Sequence, residues 1–191
     1  MTAATNITHR LIEEGINARA HFQVWWALRN LALPKYHETM NDYAHVDFFH
    51  AANSGHYVLF FLALAKIFDR DPRVAGIREL KRALRAEGKA VAAIRIAREL
   101  KSFEPYVKRV MSIRNRSVVH NEHSISRHGV YQINGITPNQ LRDLIEAACS
   151  SINGAARELG IVNTIFDSDR AERATLSMLK TLDHGRKRCT Y

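Results

Sequence analysis

Apolar positions recur at three- to four-residue intervals along most of the chain, the period of helices with one face against a core. Between about residues 6 and 33, Ile12, Ile16, Ala20, Val24 and Leu28 step by four, while Glu13, Glu14, Asn17, Arg19 and Arg29 fill the other side. That pattern predicts one long amphipathic helix, closed by Pro34. Trp25 and Trp26 widen its apolar face; as helix neighbours they point in different directions, one to the core and the other to a second surface, with a subunit contact as the other reading. A short helical turn over 35–41 precedes a second long helix over 43–68, in which Phe48, Phe49, Tyr57, Leu64 and Ile67 give a wide buried face. Asn53-Ser54-Gly55 costs helix propensity there and is expected to mark a kink or a close helix contact.

A turn over 69–72 leads to a short helix over 74–85, whose Arg78, Lys81, Arg82 and Arg85 form one basic stripe. The stripe reads either as a solvated face or as a contact surface for an RNA backbone. Glu87-Gly88 breaks the pattern, helix resumes over 89–100, and Pro105 bends or restarts it. Residues 121–135 are polar and read as an ordered loop, with a tiny hairpin around Val130–Ile133. Thr137 as N-cap and Pro138 at the first position open a helix to about Leu159, which Gly160 ends. A last helix is expected from Ser168 or Asp169 to about Leu182, followed by a mobile basic tail over about 185–191. These elements predict a single all-α domain over 1–191, an up-and-down bundle of four to five major helices plus a short C-terminal helix.

Composition sharpens this picture in three places. With 9 Gly and 4 Pro in 191 residues, the chain favours few, long elements. A formal net charge of +9 draws a protein to polyanions or to anionic membrane, although basic proteins also occur in plain housekeeping roles. Cys149 and Cys189 have no CxxC spacing, which suggests free thiols in a reducing compartment. Polar residues from Asn6 to Glu14 interrupt any signal-like run, and the apolar stretch 57–65 is far short of the ~20 residues of a spanning helix. A cytoplasmic protein without a membrane partner is the expectation.

The candidate chemistry lies in residues 113–123, I-R-N-R-S-V-V-H-N-E-H, at the end of a helical pattern carrying Val107, Val110 and Met111. Arg114 is a permanent cation, and His120 can both take and give a proton near neutrality. The pairing suits chemistry at a phosphodiester. On one ideal helix, six residues advance about 9 Å and turn about 600°, so the two side chains lie roughly 120° apart. Either the helix ends near His120 and the chain turns, or a second copy supplies the other half of the site. Arg116, four residues before His120, shares its face and competes for the phosphate role. The competing reading of His120 is a cationic cap on a helix C-terminus.

Arg114, Asn115, Arg116, Val119, His120 and Glu122 resemble the R-x(4–6)-H motif of the HEPN superfamily, and more narrowly its abortive-infection AbiU-type branch. The stretch F-L-A-L-A-K-I-F-D-R-D-P at 61–72, with the segment 77–84, resembles that branch too. The chain departs from the pattern at Asn121, so the acid comes one position late at Glu122. The resemblance implies a largely helical, metal-independent endoribonuclease acting in phage defence or a toxin–antitoxin system. It assigns Arg114 to the phosphate, His120 to proton transfer and Asn115 to orientation, with Arg116 and Glu122 as supporting candidates. It also implies a homodimer through the motif helices, and an antitoxin or nucleotidyltransferase-type partner. A non-catalytic helical module that binds RNA or protein is the alternative.

Other chemistry finds little support in the sequence. His120 and His123 form a two-residue metal pair without further ligands, and His45, His50 and His56 scatter around a helix. Neither GxGxxG nor GxxxxGK[ST] occurs, and no nucleophile-elbow pattern surrounds Ser117, Ser124 or Ser126. No metal or cofactor is expected.

Overall fold

The computed structural model describes residues 1–115, 135–161 and 168–189, with the side chain of residue 189 excepted. The elements in order are α1 (Ala3–Trp26), a π-helical turn (Ala27–Leu31), α2 (Leu33–Met40), α3 (Val46–Ile67), α4 (Ile77–Ala86), α5 (Ala90–Leu100), a 3-10 turn (Lys101–Phe103), α6 (Glu104–Ile113), α7 (Pro138–Glu158) and α8 (Arg170–Cys189). No strand occurs among the described residues, and the protein is an all-α helical bundle. The chain falls into two compact units, Met1–Arg19 with Phe61–Phe166, and Ala20–Phe60 with Asp167–Tyr191.

In the first unit α5 packs against both α4 and α7, and α6 rests on α7. Leu80 and Leu84 of α4, Ala92, Ala93 and Ile96 of α5, and Leu141, Leu144, Ile145, Ala148 and Ile152 of α7 are buried. Polar ties add to these contacts. Ser151 Oγ donates to Glu99 Oε2 at 2.7 Å, and Arg95 Nη2 donates to the Gly154 carbonyl at 3.1 Å. The buried line on α1 is Ala4, Thr8, Leu11, Gly15 and Ala18, spaced alternately by four and three. The expected line of fours is not the buried one, and Ile16 is 48% exposed. Each step of four overshoots a full turn by about 40°, so such a line slides off any fixed face.

The helix ends in this unit follow from their caps. Gly88 (φ 77) and Gly160 (φ 70) take the left-handed conformation that ends a helix at low steric cost. The N–H of Lys89 then reaches the Leu84 carbonyl (2.8 Å), and that of Ile161 reaches the Ala156 carbonyl (2.9 Å), which closes a Schellman turn at each site. At the other end of α7, Thr137 Oγ1 accepts from the Gln140 N–H at 3.2 Å while Gln140 Oε1 accepts from the Thr137 N–H at 3.0 Å. That reciprocal box satisfies two backbone donors. Glu87 Oε1 accepts from the Ala4 N–H at 2.8 Å, placing a carboxylate on the positive end of α1.

In the second unit Leu28, Ala32, Tyr36, Phe49 and Leu179 form a buried apolar cluster. Trp25 and Trp26 do not part company: both are half-buried and both meet Phe22, at centroid distances of 5.7 and 6.3 Å. Pro34 does not close the first helix. The helix widens earlier, where the Ala32 N–H reaches the Ala27 carbonyl at 2.8 Å, and Pro34 sits in the first turn of α2, where its missing N–H costs nothing. Helix α3 runs unbroken through Asn53-Ser54-Gly55, and a Cβ on Gly55 would meet nothing within 4 Å, so that glycine marks neither kink nor close contact.

The last helix is not short. It continues through residues 185–188, assigned from sequence to a mobile tail, and reaches Cys189. Asp183 accounts for the extension: it accepts from Thr39 Oγ1 at 2.9 Å and from Lys187 Nζ at 2.7 Å, while Arg186 reaches Glu38 at 2.7 Å. Those hydrogen bonds, Lys187 first, hold the Asp183 carboxyl below its ordinary range.

By length and composition α3 could cross a membrane. An uninterrupted apolar run is too strict a test for such a helix, because polar residues are interspersed along α3. Phe60, Phe61, Leu64 and Ile67 on it are fully buried, whereas Phe48 is 61% and Leu59 44% exposed.

The capping box gives a direct test. Thr137→Ala should lower unfolding free energy by about 1 kcal/mol, read as a reduced denaturant midpoint at unchanged slope.

Candidate functional site

Helix α6 starts at Glu104, with Pro105 in its first turn, and buries Val110 and Ile113. Arg114 follows at once with helical dihedrals (φ −54, ψ −49) and is half-buried. Its Nη1 donates to Asn115 Oδ1 at 3.0 Å, while Asn115 itself is exposed. The Arg114 Nε is buried and has no hydrogen-bond partner among the described residues. The amide thus engages one of the five guanidinium N–H donors and helps fix the plane of the group.

Arg116, His120 and Glu122 lie outside the described residues, as does the hairpin expected around Val130–Ile133. The structure brings Arg114 and Asn115 together. Arg109, which sequence reading passed over, ties α6 to the segment that enters α7. Its Nη1 donates to the Gly135 carbonyl at 3.1 Å, and its guanidinium stands 5.8 Å from the Tyr106 ring centre. Gly135 takes a φ of 53, and that glycine was the only local sign of a special backbone position.

The basic stripe on α4 is a set of separate contacts. Arg78 Nη1 donates to the Arg70 carbonyl at 2.9 Å, and Arg82 Nε pairs with the buried Glu79 at 2.7 Å. Lys81 is half-buried, and desolvation, followed by the neighbouring Arg85, pushes its ammonium pKa down, with Glu104 pulling the other way. Arg85 is exposed.

No group of three or more metal-ligating side chains occurs among the described residues. A pair that the sequence did not suggest is His21 with His56, whose Nδ1 atoms lie 2.9 Å apart. One ring must donate and the other accept, which holds at least one of them neutral. Burial lowers the pKa of His21; burial, then the His21 charge, lowers that of His56. Cys149 is buried against the Gly15 carbonyl at 3.7 Å, and desolvation raises its thiol pKa to about 12. That thiol is a packing group, as its place on an apolar helix face suggested.

A protein-family model described as AbiU2, HEPN_AbiU2, matches residues 1–174, a span that includes all of residues 113–123. No curated protein and no solved structure matches the chain.

Two measurements follow from these environments. The histidine pair binds protons less readily folded than unfolded, so its contribution to stability is present above about pH 6.5 and is lost as pH falls below that. The unfolding midpoint should therefore drop between pH 7.5 and 5.5, and His56→Gln should flatten that drop. Thiol labelling with peptide mapping should modify Cys149 only in denaturant.

Proposed function

The chain belongs to the AbiU2 family of HEPN proteins, and from that membership and the Arg114–Asn115 pairing at the end of α6 we propose that it is a metal-independent endoribonuclease of phage defence or a toxin–antitoxin system. The observation that carries the reading is the guanidinium of Arg114 held by its neighbouring amide, inside the span that the family model matches. Arg114 binds the scissile phosphate and stabilises charge on its oxygens as the bond order at phosphorus changes. His120 takes the proton of the RNA 2′-hydroxyl, whose oxygen attacks the adjacent phosphorus. The P–O5′ bond then breaks, leaving a 2′,3′-cyclic phosphate and a 5′-hydroxyl that regains a proton. Asn115 orients the arginine, and Arg116 and Glu122 support it. Arg78, Lys81, Arg82 and Arg85 steer the RNA backbone, Arg85 being the most readily available and Arg82 meeting a phosphate only after leaving Glu79.

An arginine and a histidine six residues apart on an ideal helix face directions about 120° apart, so two copies related by a twofold axis offer a way to complete the site. The proposed assembly is a homodimer through the motif helices, in the cytoplasm, with an antitoxin or nucleotidyltransferase-type protein as regulator.

His120→Ala should lower RNA cleavage by about 10²–10⁴-fold with the thermal midpoint unchanged, and DNA of the same sequence should be spared. Cleavage unaffected by His120→Ala, or equal cutting of RNA and DNA, points instead to a non-catalytic HEPN module that binds RNA or a partner.

A further inference from the structure

The second unit contains a cavity of about 180 Å³ between the π-helical turn, α2 and the first half of α3. Its lining changes character with depth. Leu28 and Phe49 are buried members of this unit's apolar cluster, and Met40 and Val46 are half-buried, so the inner wall is apolar, with Asn53 beside it. The exposed lining residues, which mark the open side, are Arg29, Leu33, Asn41 and His50. Among the described residues no aspartate or glutamate lines the cavity, and none pairs with Arg29. The turn that buries Leu28 and leaves Arg29 at the rim is π-helical, a geometry that recurs at functional sites.

We propose that this cavity binds a short-chain monocarboxylate, its acyl chain against the inner wall and its carboxylate on Arg29 at the rim. An apolar interior under a cationic mouth selects a molecule that is itself amphipathic and anionic. Arg29 stays charged at any working pH and presents a planar fork that matches a carboxylate, and the His50 imidazole adds a further N–H. An alkyl ammonium would meet Arg29 with like charge. An alcohol would fill the interior and leave the guanidinium without an anion. Size sets the chain length. A cavity of about 150 Å³ takes one benzene ring, so a slightly larger one holds an acyl chain of roughly six carbons and excludes the paired long chains of a membrane lipid. The site goes beyond the ribonuclease reading and shares no residue with it, so the two stand or fall separately.

The test is nuclear magnetic resonance of the full chain carrying methyl-labelled methionine, in which Met40 reports from the cavity wall. Hexanoate should move the Met40 resonance and leave those of Met1, Met111 and Met178 in place, with a Kd on the order of 1 mM or tighter. Butanoate should bind about fifteenfold more weakly, about fourfold for each methylene removed. 1-Hexanol should bind about tenfold more weakly than hexanoate, and Arg29→Gln should remove that difference. Val46→Phe, which fills the cavity, should abolish the Met40 shift with both ligands while circular dichroism shows the helices intact. Arg29 is exposed, so its variant keeps the fold and decides the matter if Val46→Phe does not fold. No Met40 shift at about 10 mM hexanoate, 1-hexanol binding as tightly as hexanoate, or affinity that ignores Arg29→Gln overturns the proposal. So does a Met40 resonance that moves with protein concentration alone, which assigns the cavity to a second copy of the chain. None of these results bears on the effect of His120→Ala.

Discussion

The placement of Arg114 depends on α5 being buried on two sides. With Ala92, Ala93 and Ile96 against its neighbours, α5 is held between α4 and α7, and the chain leaves it through a single 3-10 turn directly into α6. Helix α6 then lies on α7, so Val110 and Ile113 are fixed from below and the next residue projects from a defined end. The alanines matter here because small side chains let helix axes approach closely. Ser151 on Glu99 and Arg95 on the Gly154 carbonyl limit sliding along the contact. The role proposed for Arg114 requires its plane and position to be fixed within a fraction of an ångström, and a helix end seated on a packed core supplies this better than a loop.

Much of this was legible because helix ends are written in local chemistry. Thr137-Pro138, Gly88 and Gly160 each state a backbone requirement that few other residues meet, and all three ends fall where the sequence placed them. Pro105 restarts the helix for the same reason. The motif was partly legible too: adjacency puts Asn115 within reach of Arg114, as observed, whereas the relation of Arg114 to His120, outside the described residues, depends on a chain path that periodicity does not encode.

What was misread shares a different cause. The line Ile12, Ile16, Ala20 looked like a face, but a face follows 3.6 residues per turn, and the true line mixes Thr8 and Gly15 among its apolar members. Small residues at those positions are buried because of what packs on them, which hydropathy alone does not show. The π-helical turn has no compositional mark, and the change of helix begins at Ala27, well before Pro34. His21 with His56, and Thr39 with Asp183, join residues far apart in the chain. Pairs of that kind decide where α8 ends and how two imidazoles titrate, yet they exist only once the helices have packed.

Among the described residues, cations held by carboxylates contrast with Arg114. Arg73, Arg82, Arg186 and Lys187 are committed to carboxylates at 2.7 Å, and such pairs hold turns and helix ends in place. Arg114 instead engages a neutral amide, which orients the guanidinium without neutralising it. An arginine held by a carboxylate would have to give up that partner before meeting a phosphate, at a cost comparable to the gain. An arginine held by an amide keeps its charge for the incoming anion, and its geometry is settled before the anion arrives. In the proposed reaction the negative charge grows on oxygens beside a group that needs little reorganisation, which is the condition under which electrostatic stabilisation favours the transition state over the bound substrate.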